Sequence, residues 1–222
     1  MNTFKLSTLT HTEKNLPIFT YTFGNQGNQI LILGGVHGDE PEGVIAAQGL
    51  LHCFLEKYDF NLQITLIPEF NIEGILNKQR TNANGVDLNR NLPTLDWSPE
   101  YKTPRYHPGT KALSEKENQA LVRLIETQNF KLILSLHSWN PMINVNGPSC
   151  EPEAGILKKH TGYSIEGDIG YPTPGSLGTY AGKERNIPTI TFEIQRDIDF
   201  KEIMNIHVPA LLEALKSSEK RP

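Results

Sequence analysis

Residues 34–43 read GGVHGDEPEG and set an imidazole and a carboxylate three apart, His37 and Glu40, directly after an apolar run. Imidazole nitrogen and carboxylate oxygen both suit zinc, and a catalytic zinc takes three protein ligands while leaving a position open. Gly34, Gly35 and Gly38 let the backbone turn sharply and come close to a bound group. The same pair also suits a helix start, where a glutamate is favoured by the positive end of the helix dipole. A third ligand must come from elsewhere. His137 ends the run KLILSLH and so, like His37, stands at the end of an apolar segment. If the two segments are parallel strands ending on one sheet edge, His137 meets His37 and Glu40. The other histidines (11, 52, 107, 160 and 207) fall in polar termini, helices or loops and read as surface residues. A hydrolytic metal site also needs a base. Glu193 lies in TITFEI between Phe192 and Ile194, where an ionised carboxylate is costly unless it is paired or set at an opening. It reads as a functional acid, with an ion pair to Arg185 or Arg196 as the structural alternative.

Four apolar runs must position these groups: QILILGG (29–35), QITLIPEF (63–70), KLILSLH (131–137) and PTITFEI (188–194). None alternates with polar residues, the pattern of strands buried on both faces. Helical patterns lie between them. One follows Pro41, a residue suited to the first helical position, through Val44, Ala47, Leu51, Phe54, Leu55 and Tyr58. A second follows a capping-box signature at Ser114 and Glu117, and a third runs through Ile203, Leu211, Leu212 and Leu215, with Pro209 implying a kink or a late start. Strand and helix in alternation predict an α/β fold, a three-layer sandwich with a twisted mixed sheet and helices on both faces, as a single domain over 1–222. The stretch 78–112 is long for a structureless connection, which predicts a functional loop.

The 222 residues carry a net charge of −4, with 37% hydrophobic and 21% charged residues. That composition fits an ordinary globular domain and argues against a nucleic-acid partner, which would demand a basic surplus. No stretch approaches the roughly 18 apolar residues of a membrane span, and MNTFKLSTLTHTEKN has no apolar run of signal-peptide length. No membrane association and a cytoplasmic location are therefore expected, with Cys53 and Cys150 as reduced thiols. Oligomeric state is not legible.

HxxE in GGVHGDE, then RTNANGVDLNRN, then a strand-terminal histidine and TFE, in that order, resemble the zinc metallocarboxypeptidase family from residue 30 to about 196. RTNANGVDLNRNLP and GYPTPGSLGTYAG are most similar to its murein tripeptide amidase subgroup, which cuts between γ-D-glutamate and meso-diaminopimelate. The resemblance implies one Zn²⁺ held by His37, Glu40 and His137, with Glu193 as general base and Arg80 at the developing oxyanion. It further implies that Asn89 and Arg90 grip the substrate's free carboxylate and that Tyr180 closes over the site. Lys183, Glu184 and Arg185 would fall near the specificity pocket, and Trp139 and Asn140 on the other side of the cleft. Asp87 and Asn91 would fix the loop, Asp39 would orient the HxxE turn, and Glu42 would be solvated. The implied substrate is a small murein-derived peptide. An N-acyl amino acid deacylase of the aspartoacylase and succinylglutamate desuccinylase branch shares HxxE and DLNR, and a non-catalytic binding protein of the same fold is the remaining alternative.

Overall fold

The computed structural model describes residues 4–221. In chain order the elements are β1 (Phe4–His11), β2 (Pro17–Phe23), β3 (Asn28–Gly34), α1 (Pro41–Glu56), β4 (Leu62–Ile67) and α2 (Ile72–Asn77). After the long loop come α3 (Lys116–Thr127), β5 (Phe130–Trp139), β6 (Met142–Asn146), α4 (Glu153–Thr161) and β7 (Ser164–Glu166). A wide-turn helix at Gly178–Lys183 precedes β8 (Thr189–Gln195), α5 (Phe200–Glu202) and α6 (Val208–Ser217).

The eight strands form one sheet in the order β1-β2-β4-β3-β5-β8-β6-β7. The four apolar runs are its adjacent parallel strands β4, β3, β5 and β8. Antiparallel pairings add β2 on one side and β6 on the other. The pleat divides β3 between two cores. Ile30 and Ile32 pack with α1, α4 and α6, whereas Leu31 and Leu33 pack with α3 and the loop residues Leu88 and Leu92. All four are fully buried, a gross transfer gain of roughly 6–12 kcal/mol that pins the middle of the sheet.

The chain leaves β3 toward β4 on one side and later returns to β5 on the other. The carboxyl ends of β3 and β5 therefore flank a point where strand order reverses, the place where open α/β sheets leave a crevice.

One local expectation changes and another is resolved between its two alternatives. Ser114 and Glu117 form no capping box: Glu115 is the cap residue of α3 and makes no side-chain cap bond. The Ser114 hydroxyl is engaged by Asn91 and Glu115, while Glu117 is buried against Asn82. Pro209 marks a late start, in the first turn of α6 after a wide turn at Ile203–His207. Among the described residues both cysteines are free, and no helix is long and apolar enough to cross a membrane.

Candidate active site

His37 follows β3 in a tight turn, Glu40 precedes α1, and His137 lies near the end of β5. Glu40 occupies the cap position of α1 but makes no cap hydrogen bond. Its carboxylate turns instead to the two imidazoles, 2.9 Å from His37 Nδ1 and 2.8 Å from His137 Nδ1. The two Nδ1 atoms are 3.2 Å apart, and all three side chains are buried. The rings are held from behind. Asp87 Oδ1 lies 3.0 Å from His37 Nε2, and Ser135 Oγ lies 2.9 Å from His137 Nε2. A carboxylate only accepts, so Asp87 keeps the proton on Nε2 and turns the Nδ1 lone pair of His37 toward the shared centre. The His37 lone pair and the Glu40 carboxylate converge with His137 Nδ1 in a buried space, where they repel one another unless a positive centre lies between them. This donor set suits zinc.

The electrostatics follow from the same contacts. Burial works to raise Glu40, yet His37 and His137 outweigh it and hold the carboxyl well below its usual range. Burial likewise opposes ionisation of Asp87, but Arg80 and His37 hold it far down. Arg80 donates from Nε to Asp87 (2.8 Å) and from Nη1 to Glu40 (3.1 Å), which leaves Nη2 for a ligand.

Glu193 on β8 is in register with His137 on β5. Burial, reinforced by Glu40 and opposed by His137, Arg80 and Arg196, raises it to about 7. It makes no salt bridge with Arg185 or Arg196, and its buried Oε2 has no hydrogen-bond partner among the described residues. A desolvated carboxylate with a spare acceptor, beside a metal-type centre, is poised to take a proton near neutral pH.

These groups share a cleft of about 340 Å³ with Asn89, Arg90, Arg105, Tyr106, Trp139, Tyr171, Lys183 and Arg196. Asn89 Oδ1 accepts from Leu177 N at 2.8 Å, so its Nδ2 is the end left to donate into the cleft. Arg90 and Arg80 both lie over the Tyr106 ring, at 5.6 and 5.3 Å, which holds two cations near each other on an aromatic face. Asn91 ties the loop together through Pro108, Lys111 and Ser114.

Tyr180 is not at this cleft. It is fully buried, donates to Glu126 at 3.1 Å and packs under Arg185, 3.5 Å from its ring centroid. Tyr171, edge-to-face with Trp139 at 5.7 Å, lines the cleft instead, together with Tyr106. Glycine-rich sequence surrounds both tyrosines, and spacing alone did not separate them. Two acidic residues also differ from expectation. Glu42 is buried and bonds Ser138 and Asp197, linking the ends of β5 and β8. Asp39 holds arginines rather than the turn, pairing with Arg105 at 2.8 Å and accepting from Arg196 through its carbonyl at 2.9 Å. His207, expected at the surface, is buried against the Tyr163 hydroxyl. Tyr106 and Arg105 carried no sequence signal beyond their place in a long polar loop, and Arg196 was legible only as a possible ion-pair partner of Glu193.

A mixed sheet with parallel central strands, a buried His/His/Glu centre at a strand-order reversal, a desolvated acid and an arginine-rich cleft define a metal-dependent hydrolase. Residues 2–151 match the zinc carboxypeptidase family. Murein peptide amidase A of Vibrio campbellii is 34% identical over 176 residues, covering 74% of this chain and 68% of that protein. The Escherichia coli K12 protein of the same name is 31% identical, covering 73% and 69%. The crystal structure of an E. coli O157 murein-tripeptide amidase superposes with a TM-score of 0.77 at 25% identity, over 95% of this chain and 91% of that one. Carboxypeptidase A of Helicoverpa armigera shares the fold, with a TM-score of 0.82 at 16% identity, over 98% of this chain and 69% of that one. The chain belongs to the zinc carboxypeptidase family. It is accordingly a zinc-dependent metallopeptidase of the carboxypeptidase and amidase type.

Proposed function

We propose that this chain, as a single catalytic domain in the cytoplasm, hydrolyses the amide between γ-D-glutamate and meso-diaminopimelate in peptides released from murein. The observation that carries the reading is the cleft itself: His37, Glu40, His137 and Glu193 face a space flanked by Arg80 and Arg90. The similarity to murein peptide amidases across about three quarters of the chain supports the choice of substrate.

In this reading His37, Glu40 and His137 hold one zinc ion. When bound, the ion supplies a Lewis acid that acidifies the attacking water and polarises the scissile carbonyl. Glu193 takes the water proton on its free oxygen and returns it to the departing amine. Arg80 directs Nη2 at the oxyanion, where a fixed cation acts most strongly because charge develops there only in the transition state. Arg90 and Asn89 receive the free α-carboxylate of the leaving residue, the guanidinium fork matching it in two hydrogen bonds.

The test presents zinc-loaded protein with the γ-D-glutamyl-meso-diaminopimelate tripeptide and with N-succinylglutamate in parallel. Release of diaminopimelate is the expected product. Turnover of the succinyl compound alone would assign the chain to the deacylases. Glu193→Gln is expected to retain metal and lose hydrolysis.

A further inference from the structure

Resting on that reading, the structure points to how the leaving residue's side chain is recognised. Glu193 and His137 form one row across the sheet, and two residues deeper Thr191 pairs with Asn144. Two residues along a strand is about 6.6 Å, comparable to the reach of a long side chain from the reacting centre. The next row therefore offers hydroxyl and amide groups where a carboxypeptidase for apolar residues would need hydrocarbon.

The Gly178–Lys183 helix closes this end of the cleft. A Cβ on Gly178 would lie 2.8 Å from Asn146 Nδ2, and one on Gly182 would lie 2.6 Å from Asn146 Cβ. The helix therefore lies directly on Asn146, and Lys183, the residue after Gly182, lines the cleft. The arginines lining the cleft are all engaged: Arg80 by Asp87 and Glu40, Arg105 by Asp39, Arg196 and Arg90 by backbone carbonyls. Among the described residues, Lys183 is the cleft cation that makes no hydrogen bond or ion pair. An unpaired ammonium above a polar floor has the character of a receptor for an anionic group.

We propose that Lys183 determines specificity by binding the distal carboxylate of the leaving residue's side chain, so that the site selects an amino acid with a second, remote carboxylate over one ending in an amine alone. Arg90 handles the α-carboxylate and Lys183 the distal one. An ammonium is a suitable partner because its three donors accept a carboxylate from a range of directions.

The experiment measures kcat/KM on two γ-D-glutamyl peptides, one ending in meso-diaminopimelate and one in L-lysine, which lacks only the distal carboxylate. The wild-type protein is expected to favour the first, and Lys183→Met to reduce that ratio by about 30-fold, the scale of one charge-assisted hydrogen bond. Lys183→Arg should restore most of the ratio, and Lys183→Glu should invert it. General damage to the fold lowers both activities and leaves the ratio unmoved. A wild-type ratio near one, or a ratio unchanged in Lys183→Met, overturns the assignment of Lys183 while leaving the reaction in place. A wild-type protein that cleaves neither peptide overturns the reaction itself and this assignment with it.

Discussion

Asp87 Oδ1 lies 3.0 Å from the Nε2 of His37, on the opposite side of the ring from the Glu40 carboxylate. The same Asp87 carboxylate binds Arg80 through its other oxygen and accepts from Asn89 N, so one buried side chain orients His37, Arg80 and the loop that carries Asn89 and Arg90. Outer partners of ligating histidines typically contribute about 10–100-fold to metal affinity. Asp87→Asn is therefore expected to weaken zinc binding by that factor while the fold persists, measured by competition with a chromogenic chelator alongside circular dichroism.

Glu193 yields a pH dependence for the metal-free protein. Its pKa in the folded state is raised to about 7, above the usual carboxylate value, so the folded state holds this proton more tightly than the unfolded chain. Its contribution to stability is fully present below about pH 4.3 and is lost as pH rises through 7. Glu193→Gln should thus match the parent protein near pH 4 and exceed it by about 3–4 kcal/mol at pH 8, with chelator present throughout. Urea unfolding of both proteins at the two pH values provides the check. A constant difference across the range would contradict the assigned desolvation.

Arg90 lines the cleft with no salt-bridge partner among the described residues. Its guanidinium donates to the Asn89 carbonyl at 2.7 Å and lies over Tyr106. If it grips the terminal carboxylate, Arg90→Met should raise KM on the tripeptide by roughly 10–100-fold. The same variant should lose its discrimination against a substrate whose terminal carboxylate is amidated, as read by steady-state kinetics on both.

The two tyrosines separate by mutation. Tyr180→Phe removes a buried hydrogen bond to Glu126 and is expected to cost about 1 kcal/mol of stability with kcat/KM unchanged. Tyr171→Ala removes an aromatic wall of the cleft and should lower kcat/KM by about tenfold with little change in Tm. The reverse pattern would return Tyr180 to the site.

Gly43 lets α1 approach β5 at the level of the ligands, since a Cβ there would lie 2.3 Å from the Leu136 carbonyl oxygen and 3.1 Å from His137 N. Gly43→Ala must push the helix that follows Glu40 away from the strand that carries His137. A loss of about 1–3 kcal/mol, or roughly 3–10 °C in Tm, is expected, together with weaker zinc binding. Calorimetry with and without metal measures both.

The sequence by itself determined the donor set and the strands that carry it. Four uninterrupted apolar runs mark strands buried on both faces, and His37, His137 and Glu193 each sit at or near the end of one. That much is local, because burial on both faces leaves its mark in consecutive residues. The outer strands were not legible for the same reason. β1 is mostly exposed, β6 has five residues and β7 three, too short for a pattern to emerge.

Tertiary structure alone decided the rest. Residues a hundred positions apart become neighbours only because β5 returns to the far side of β3, and no local pattern encodes that crossing. Asp87 and Ser135 stand behind the imidazoles, Glu42 is drawn inward by Ser138 and Asp197, and Tyr180 points into the core while Tyr171 faces the cleft. Each of these depends on which side of a side chain meets another element. That choice is made by packing between distant segments, as where Gly178 and Gly182 let their helix settle on Asn146 and so bring Lys183 to the cleft.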